Sequence, residues 1–405
     1  MERIALRTEL GTDLAAFQHL LDQIGPDRWA ARIHELRGLC APGHAGRAFA
    51  RRHAIELQLD RLLRRVSQPS AAEAKIATLA NDLGALASTL PAAGRARLQS
   101  ALATALSGAN TLIPLLHLAR CARVQRGRGF SVHFAGLADG ATYDLLLCRD
   151  GMEAELVAEM VSAEEGRDVH RGAWSHLVDR VDPDLQHWLA AHPGRYLLKM
   201  TLPRGLKTAA AENDMAPLAD LHARISRLLT EQCRADHDEA AVLRLEPLLL
   251  AGAQANELGL MRGLRHEFGP EAHLAVTVAG NAVFVMAARA AREDEVAEAV
   301  QRRMAEIAPR RLTGTRPGLL AMFIEDTDRL EWRRLREQLR LEGAARQFLT
   351  CAEARSVVAV SCTSRQELLG MAPPDGAGEG EIRFRNPRHG AAGAAALAPA
   401  VLSTM

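Results

Sequence analysis

The chain has 405 residues, which is too long for one ordinary hydrophobic core, so two or three domains, or one core with large additions, are expected. Hydrophobic residues make up 48% of it and charged residues 24%, as in ordinary globular proteins. The formal net charge of +1 excludes a uniformly basic binder of polyanions, although acidic regions can offset a local basic patch.

The start of the chain and its cysteines predict a cytoplasmic protein with no membrane partner. Residues 1–14 are charged and lack the apolar stretch of a signal peptide. No window is apolar for long enough to span a bilayer. The six cysteines are scattered without CxxC spacing, so we expect reduced thiols in a reducing compartment.

Residues 1–108 are predicted to form an N-terminal helical region, because alanine, leucine and arginine dominate and apolar residues recur at helical spacing. The stretch Ala71–Leu90 begins with a capping box, in which Ser70 is the N-cap and Glu73 follows three residues later. Pro91 ends this helix.

Residues 109–270 are predicted to form an α/β core, because the apolar pattern changes from helical spacing to short runs and alternation. A helix, three strands, a helix and a further strand follow one another, and more helix and strand come after them. The segments are helix Leu112–Val124, strands Ser131–Phe134, Tyr143–Cys148 and Glu153–Val161, helix Gly166–Leu189 with an interruption near Asp182-Pro183, strand Tyr196–Leu202, a helix at about 210–232, and a strand or short helix at Val242–Leu250.

Residues 271–390 are predicted to form a C-terminal α/β extension, which can pack on the same core. Gly280-Asn281 indicates a hairpin turn between two strands. Two later strand-like runs bracket a charged helix, a spacing that suits a βαβ unit with parallel strands. Residues 391–405 are expected to be a flexible tail. The other segments are strands Leu274–Val278, Ala282–Ala287, Leu319–Ile324 and Ser356–Ser361, and helices Arg292–Ile307 and Asp328–Arg346.

Three segments of the chain resemble a known family. They are LLHLARCARVQRGRGFSVHF (115–134), YDLLLCRDGMEAELVAEMVSAEEGRDVHR (143–171) and RYLLKMTLPRGL (195–206). They are similar to uncharacterised bacterial members of the restriction-endonuclease-like, or PD-(D/E)XK, group, and weaker echoes lie at 314–326 and 384–389. The resemblance implies an α/β fold with a restriction-endonuclease-like mixed-sheet core.

The same resemblance implies a metal-dependent nuclease that acts on DNA or RNA. Hydrolysis of a phosphodiester uses a divalent ion to stabilise charge on the phosphate, and Mg²⁺ (or Mn²⁺) prefers carboxylate oxygens. Asp144 matches the family's aspartate, and Glu155 and Glu159 lie on the next strand. We therefore expect Asp144 and Glu159 to be metal ligands, with Glu155 as the alternative second carboxylate.

The motif lacks its lysine, because an ungapped alignment places the family's glutamate at Val157 and its lysine at Glu159. The chain has three lysines in all, and Lys199 on the later strand is the nearby candidate for the basic group. His170 and Arg167 are the alternatives. A family acid on the preceding helix would fall near His117.

Each of these residues also has a purely structural interpretation. Glu155 and Glu159 would form the solvated face of an edge strand, and Asp144 would cap a turn or pair with an arginine. Lys199 would be a surface residue of its strand. His117 would be a hydrogen-bonded, partly buried side chain, and His170 would lie at the rim of a core.

Arginine is concentrated where acidic residues are missing. Between Asp82 and Asp139 there is no acidic residue, which suits contacts to phosphates because each neutralised phosphate releases counterions. A helix C-terminus with a solvated surface explains the same pattern. The arginines proposed to bind nucleic acid are Arg120, Arg123, Arg126, Arg128 and Arg167.

Three functions therefore compete. The first is the nuclease, and the second is an inactive nuclease-like fold that binds nucleic acid or protein, which the missing lysine favours. The third is a helical interaction protein that acts through residues 1–108. The sequence lacks the P-loop, the Rossmann glycine motif, HExxH and GxSxG, which argues against the corresponding ATPases, dehydrogenases, proteases and hydrolases.

Overall fold

A computed structural model describes residues 14–64, 69–207, 216–248, 257–269, 271–368 and 381–403. The protein is a mixed α/β chain with two mixed β-sheets. It divides into two compact units, each made of separate stretches of sequence. The first unit comprises Met1–Gly38, Arg52–Ala163 and Ala297–Met405, and the second comprises Leu39–Arg51 and Glu164–Val296. This division cuts across the predicted boundaries, because residues 109–270 contribute to both units.

The described helices are numbered in chain order. They are α1 (Ala15–Ile24), α2 (Pro26–Leu39), α3 (His44–Arg52), α4 (Ala54–Leu63), α5 (Ala71–Thr89), α6 (Ala92–Ala105), α7 (Ile113–Gly127), α8 (Ala135–Ala138), α9 (Arg171–Ala191), α10 (Ala216–Thr230), α11 (Glu257–Phe268), α12 (Val296–Arg311), α13 (Arg329–Glu337), α14 (Arg340–Phe348), α15 (Arg365–Leu368) and α16 (Ala398–Val401). Short 3₁₀ turns lie at Ala163–Gly166, Ala352–Ala354 and Ala395–Leu397.

The described strands are β1 (Ser131–His133), β2 (Leu145–Arg149), β3 (Met152–Ser162), β4 (Arg195–Leu202), β5 (Ala235–His237), β6 (Val242–Pro247), β7 (His273–Ala279), β8 (Ala282–Ala290), β9 (Gly318–Glu325), β10 (Val357–Ser364) and β11 (Ile382–Arg385). Six of them form the sheet of the first unit and five form the sheet of the second.

The sheet of the first unit has the order β1-β2-β3-β9-β10-β11. Strands β1, β2 and β3 form an antiparallel meander, β9 lies parallel to β3, and β10 lies parallel to β9. Every residue of β9, GLLAMFIE, is buried, as expected for a central strand of a parallel set covered on both faces. The βαβ prediction for this part of the chain is confirmed, with two helices between the strands.

Helix α5, which precedes this sheet in the chain, begins with the predicted capping box. Ser70 accepts a hydrogen bond from the Glu73 backbone N–H, and Glu73 accepts one from the Ser70 backbone N–H, so the capping box at the start of α5 is confirmed. Helix α5 then packs closely on α1, because a Cβ atom built on Gly84 would lie 2.2 Å from backbone atoms of Ala16. Only glycine permits this approach.

The sheet of the second unit has the order β5-β6-β4-β8-β7. Strand β4 is parallel to β8 and antiparallel to β6, and the predicted hairpin between β7 and β8 turns at Gly280, whose φ is +59°. Helices α9 and α10 cover one face with a large apolar cluster that includes Leu177, Ile225 and Phe284. A smaller cluster that includes Leu264 of α11 lies on the other face.

Three predicted elements differ from the structure. Helix α9 continues through Pro183. Proline removes one backbone hydrogen bond from a helix, and packing of the helix against its surroundings can offset that loss. The charged segment Asp328–Arg346 is two helices, separated at Leu339, which has a positive φ of 56°. The predicted flexible tail contains α16, whose residue Val401 is fully buried.

Candidate active site

Asp144 lies immediately before β2 and is held from two sides. Its Oδ2 accepts a hydrogen bond from the Ala158 backbone N–H at 2.8 Å, and its Oδ1 accepts one from Arg311 Nη2 at 2.8 Å. Burial raises the pKa of Asp144, and Arg311 opposes that shift. The carboxylate is therefore tied both to the neighbouring strand and to a cation.

Glu159 on β3 contacts the same guanidinium. Arg311 Nη1 lies 3.4 Å from Glu159 Oε2, and Arg303 Nη2 donates to Glu159 Oε1 at 2.6 Å. Both arginines come from α12. We call Asp144, Glu159, Arg303 and Arg311 the arginine-bridged acid pair.

Glu155 belongs to a separate network. It is fully buried, and its Oε2 accepts a hydrogen bond from the Thr313 backbone N–H at 2.8 Å, while the Thr313 hydroxyl donates to Oε1. Arg316 lies 3.6 Å away. Four strand residues span about 13 Å, so Glu155 and Glu159 lie too far apart along β3 to share one ion directly.

The interpretation of the two glutamates as the solvated face of an edge strand is wrong. Strand β3 is internal, since it pairs with β2 on one side and with β9 on the other. Glu155 has no exposed surface, and the side chain of Glu159 is only 14% exposed. Both carboxylates are therefore parts of the interior, where each is neutralised by donors from the segment around residues 303–316.

With the Arg311 guanidinium between Asp144 and Glu159, this donor set does not fit a divalent ion. Mg²⁺ needs several oxygen ligands with free lone pairs, often with bound water. Here Asp144 accepts from Ala158 and Arg311, and Glu159 accepts from Arg303 and Arg311. In the described part of the chain, no group of three or more histidine, cysteine, aspartate or glutamate side chains could hold a metal.

The predicted basic partners lie in the second unit, whereas the acids lie in the first. Lys199 is a residue of β4, and its Nζ lies 2.7 Å from Glu246. His170 is the N-cap of α9, and burial lowers its pKa. Arg167 has a side chain that is 1% exposed and pairs with Glu164 and Asp294. Each has carboxylate or backbone neighbours within its own unit.

Two of the predicted phosphate-binding arginines are internal ion-pair partners. Arg120 and Arg128 both contact the buried carboxylate of Glu381, with Arg120 Nη1 3.3 Å from Glu381 Oε2. Burial alone would raise the pKa of Glu381, but the two arginines together lower it. Arg120, Arg128 and the buried Arg167 are thus not available to a nucleic acid at the surface, because their cationic groups are already paired inside the protein.

The other two arginines of α7 are exposed. Arg123 pairs with Asp82 at 2.9 Å, and its side chain is 57% exposed. The guanidinium of Arg126 lies 5.5 Å from the centre of the Phe134 ring, a cation–π contact. Of the predicted set, these two remain able to meet a phosphate.

His117 is a structural residue. It is fully buried, its Nε2 donates to the Ala321 carbonyl at 2.9 Å, and burial lowers its pKa to about 4. The sequence predicts a hydrogen-bonded, partly buried His117 side chain; the hydrogen bond is confirmed, and the side chain is more buried than expected.

Sequence reasoning missed Arg303 and Arg311. The signal for them was the arginine-rich end of α12, RRMAEIAPRRL, directly before the strand that pairs with β3. Helix α12 leads into β9, which lies parallel to β3. In such a connection the last turn of the helix lies close to the start of the strand that follows it. The family motif directed attention to lysine instead.

Comparisons with known proteins returned no match. No family model matches the chain, and no curated protein or solved structure is significantly similar to it. None of the described helices has the length and apolar character needed to cross a membrane.

Proposed function

We propose that this chain is a catalytically inactive relative of the restriction-endonuclease-like fold that serves as a nucleic-acid-binding module. The order of elements supports this. Helix α7 precedes the meander β1-β2-β3, and α12 then leads to β9, which pairs in parallel with β3. Asp144 at the entry to β2 and Glu159 on β3 are the acids that the resemblance assigns to the site.

The single observation that carries the proposal is the position of Arg311. Its guanidinium contacts both Asp144 and Glu159, so the two acids that the resemblance assigns to a metal ion share a cation from the protein. Such a paired arginine is always charged and neutralises the acids without any metal.

The missing lysine supports the same conclusion. Of the three lysines in the chain, Lys75 is the one that belongs to the first unit. Its Nζ donates to the Glu367 carbonyl at 3.2 Å, so it is engaged at a different place in that unit. Within the first unit, therefore, no lysine of the described residues accompanies the two acids as the general base or water-orienting group.

The proposed partner is nucleic acid, because the fold that the chain resembles binds phosphodiester backbones. Arg123 and Arg126 on the exposed side of α7 supply the phosphate contacts that we expect in the first unit. Each phosphate contact releases counterions, so binding should weaken steeply as salt increases.

The test is incubation of the purified chain with plasmid, linear DNA and RNA in Mg²⁺, Mn²⁺ or chelator, beside a binding titration at two salt concentrations. We expect binding without cleavage. The variant Arg126→Gln should weaken binding severalfold, whereas Arg310→Gln, a matched arginine that is 72% exposed, should not. Failure of the wild type to bind any nucleic acid would refute the proposal.

A metal-dependent nuclease is the second candidate, because Asp144 and Glu159 converge on one cation. If a metal ion displaced the Arg311 side chain, Asp144 and Glu159 are the residues that would hold it. Metal-dependent cleavage that disappears in Asp144→Ala would establish this candidate in place of the inactive module.

A further inference from the structure

A cleft of about 460 Å³ lies on one face of the second unit's sheet. This volume is within the range of small-molecule sites. Its floor comes from β4, β6 and β8, and Phe268 at the end of α11 lines one wall. The site is made of second-unit residues alone, so it is independent of the arginine-bridged acid pair.

Three cationic side chains line this cleft from three neighbouring strands. Lys199 of β4 is paired in register with Arg244 of β6, and Thr201, two residues further on, is paired with Arg289 of β8. Residues two apart on a strand share a face, so all three cations point to the same side of the sheet.

This arrangement brings like charges close together on one face of the sheet. Like charges directly opposite each other on antiparallel strands destabilise a sheet, and Lys199 and Arg244 are such a pair. Glu246 offsets one charge, since it lies 2.7 Å from Lys199. In the residues that the structure describes, no carboxylate lies within ion-pair distance of Arg244 or Arg289.

The charge balance indicates which anion fits. Within the cleft itself, three cations and one carboxylate leave two positive charges. Three further carboxylates, Glu271, Glu293 and Asp294, line the adjoining cavity that shares Arg289, and Asp294 pairs there with Arg167. A phosphate monoester carries a charge of about −1.5 to −2 at neutral pH, whereas a diester or a carboxylate carries a single negative charge. Apart from Thr201, the remaining lining on this face is apolar and includes Phe268, Val242 and Ala287.

We infer that this cleft binds a phosphate monoester with an apolar or aromatic body, of about the size of a nucleoside monophosphate. The phosphate lies among Lys199, Arg244 and Arg289, and the ring lies against Phe268 and Val242. Thr201, on β4 between the strands that carry Arg244 and Arg289, can donate its hydroxyl hydrogen to a phosphate oxygen. This site goes beyond the proposed function, because it requires neither the nuclease-like core nor a nucleic-acid chain.

Isothermal titration of the full-length chain tests the inference. The probes are phenyl phosphate, AMP, inorganic phosphate, adenosine and 3′,5′-cyclic AMP. We expect AMP and phenyl phosphate to bind at least tenfold more tightly than adenosine, cyclic AMP or inorganic phosphate. A 5′-phosphorylated oligonucleotide is compared with the same strand ending in a hydroxyl. If only the phosphorylated strand binds, the site accepts the end of a strand; if neither binds, the monoester is a free nucleotide.

The double variant Arg244→Gln/Arg289→Gln should lose at least tenfold in affinity. Arg204→Gln, which removes an exposed arginine of the same unit paired with Glu239, should bind normally. Wild-type protein that binds neither monoester, or a double variant that binds them unchanged, overturns the inference.

Lysine labelling gives a readout that needs no variant, because the chain has only three lysines. Saturating AMP should slow the acetylation of Lys199 severalfold and leave Lys207, which is exposed in the same unit, unchanged. Equal protection of both lysines, or of neither, would contradict a site at Lys199.

Discussion

Asp144 Oδ2 accepts a hydrogen bond at 2.8 Å from the backbone N–H of Ala158, a residue fourteen positions further along the chain. The two residues belong to adjacent parts of the antiparallel meander. This bond fixes the start of β2 against the middle of β3. The carboxylate that the family motif assigns to metal binding is therefore also a structural link between strands.

Loss of this carboxylate should destabilise the first unit. In Asp144→Ala, the Ala158 N–H loses its acceptor and Arg311 loses one of its two carboxylates, so we expect the free energy of unfolding to fall by about 2 kcal/mol. Urea denaturation measures it. The control is Asp139→Ala, because the Asp139 side chain is 59% exposed and should contribute less than 1 kcal/mol. Equal effects of the two variants would show that the link to β3 is unimportant.

The buried arginine of α7 should matter more for stability than its exposed neighbour. Arg120→Gln weakens the charge compensation of buried Glu381, so we expect a loss of about 3 kcal/mol in the free energy of unfolding. Arg123→Gln breaks a surface pair with Asp82 and should cost less than 1 kcal/mol. Thermal and urea unfolding of the two variants provide the measurement, and the reverse order would contradict the burial of Arg120.

The buried histidine should make the fold sensitive to acid. The folded pKa of His117 is about 4, below the ordinary value of 6.5. As the pH falls from 6.5 towards 4, the unfolded chain gains a proton on this residue while the folded chain does not. Stability is therefore lost across that window, by up to about 3 kcal/mol from His117.

The variant His117→Gln keeps a donor for the Ala321 carbonyl and removes the titration. We expect its free energy of unfolding to change less between pH 6.5 and pH 4 than that of the wild type. The control is His19→Gln, at an exposed position, which should keep the wild-type pH dependence. If His117→Gln retained the full slope, the acid sensitivity would have to come from other groups.

The contact between α1 and α5 gives a steric test. Gly84→Ala would place a methyl group 2.2 Å from the Ala16 backbone, so the helices must separate, at a cost of about 3 kcal/mol. Gly38→Ala changes a helical glycine with open space around it and should stabilise the protein by about 1 kcal/mol. Melting temperatures should therefore move in opposite directions, and a stable Gly84→Ala would disprove the close packing.

Local features of the fold were predictable from the sequence, and distant pairings were not. The Ser70 and Glu73 capping box and the Gly280 turn each depend on a few residues that are adjacent in the sequence, so a short sequence motif is enough to predict them. Arg311 contacts Asp144, which lies 167 positions earlier in the chain. No periodicity relates residues that far apart, and most of the intervening sequence belongs to another unit.

For the candidate site too, contacts between residues that are distant in the sequence could not be predicted. The resemblance drew attention to Asp144 and Glu159, and both of these side chains contact Arg311. The resemblance also suggested Lys199, on a later strand of the sequence. That strand belongs to the second unit, where Lys199 is paired in register with Arg244. Arginines 120 and 128 looked like a basic surface because their partner, Glu381, lies far away in the sequence.

The parallel pairing of β3 with β9 has a consequence for synthesis of the protein. Strand β3 ends at Ser162 and β9 begins at Gly318, so the ribosome must release the entire second unit before the central strand of the first sheet emerges. Until then, β3 is a long nascent edge with unsatisfied backbone groups, the kind of edge at which chains associate wrongly. Slow elongation through this interval would prolong the exposure of this edge and lower the yield of native protein. A chaperone that covers the edge would raise that yield.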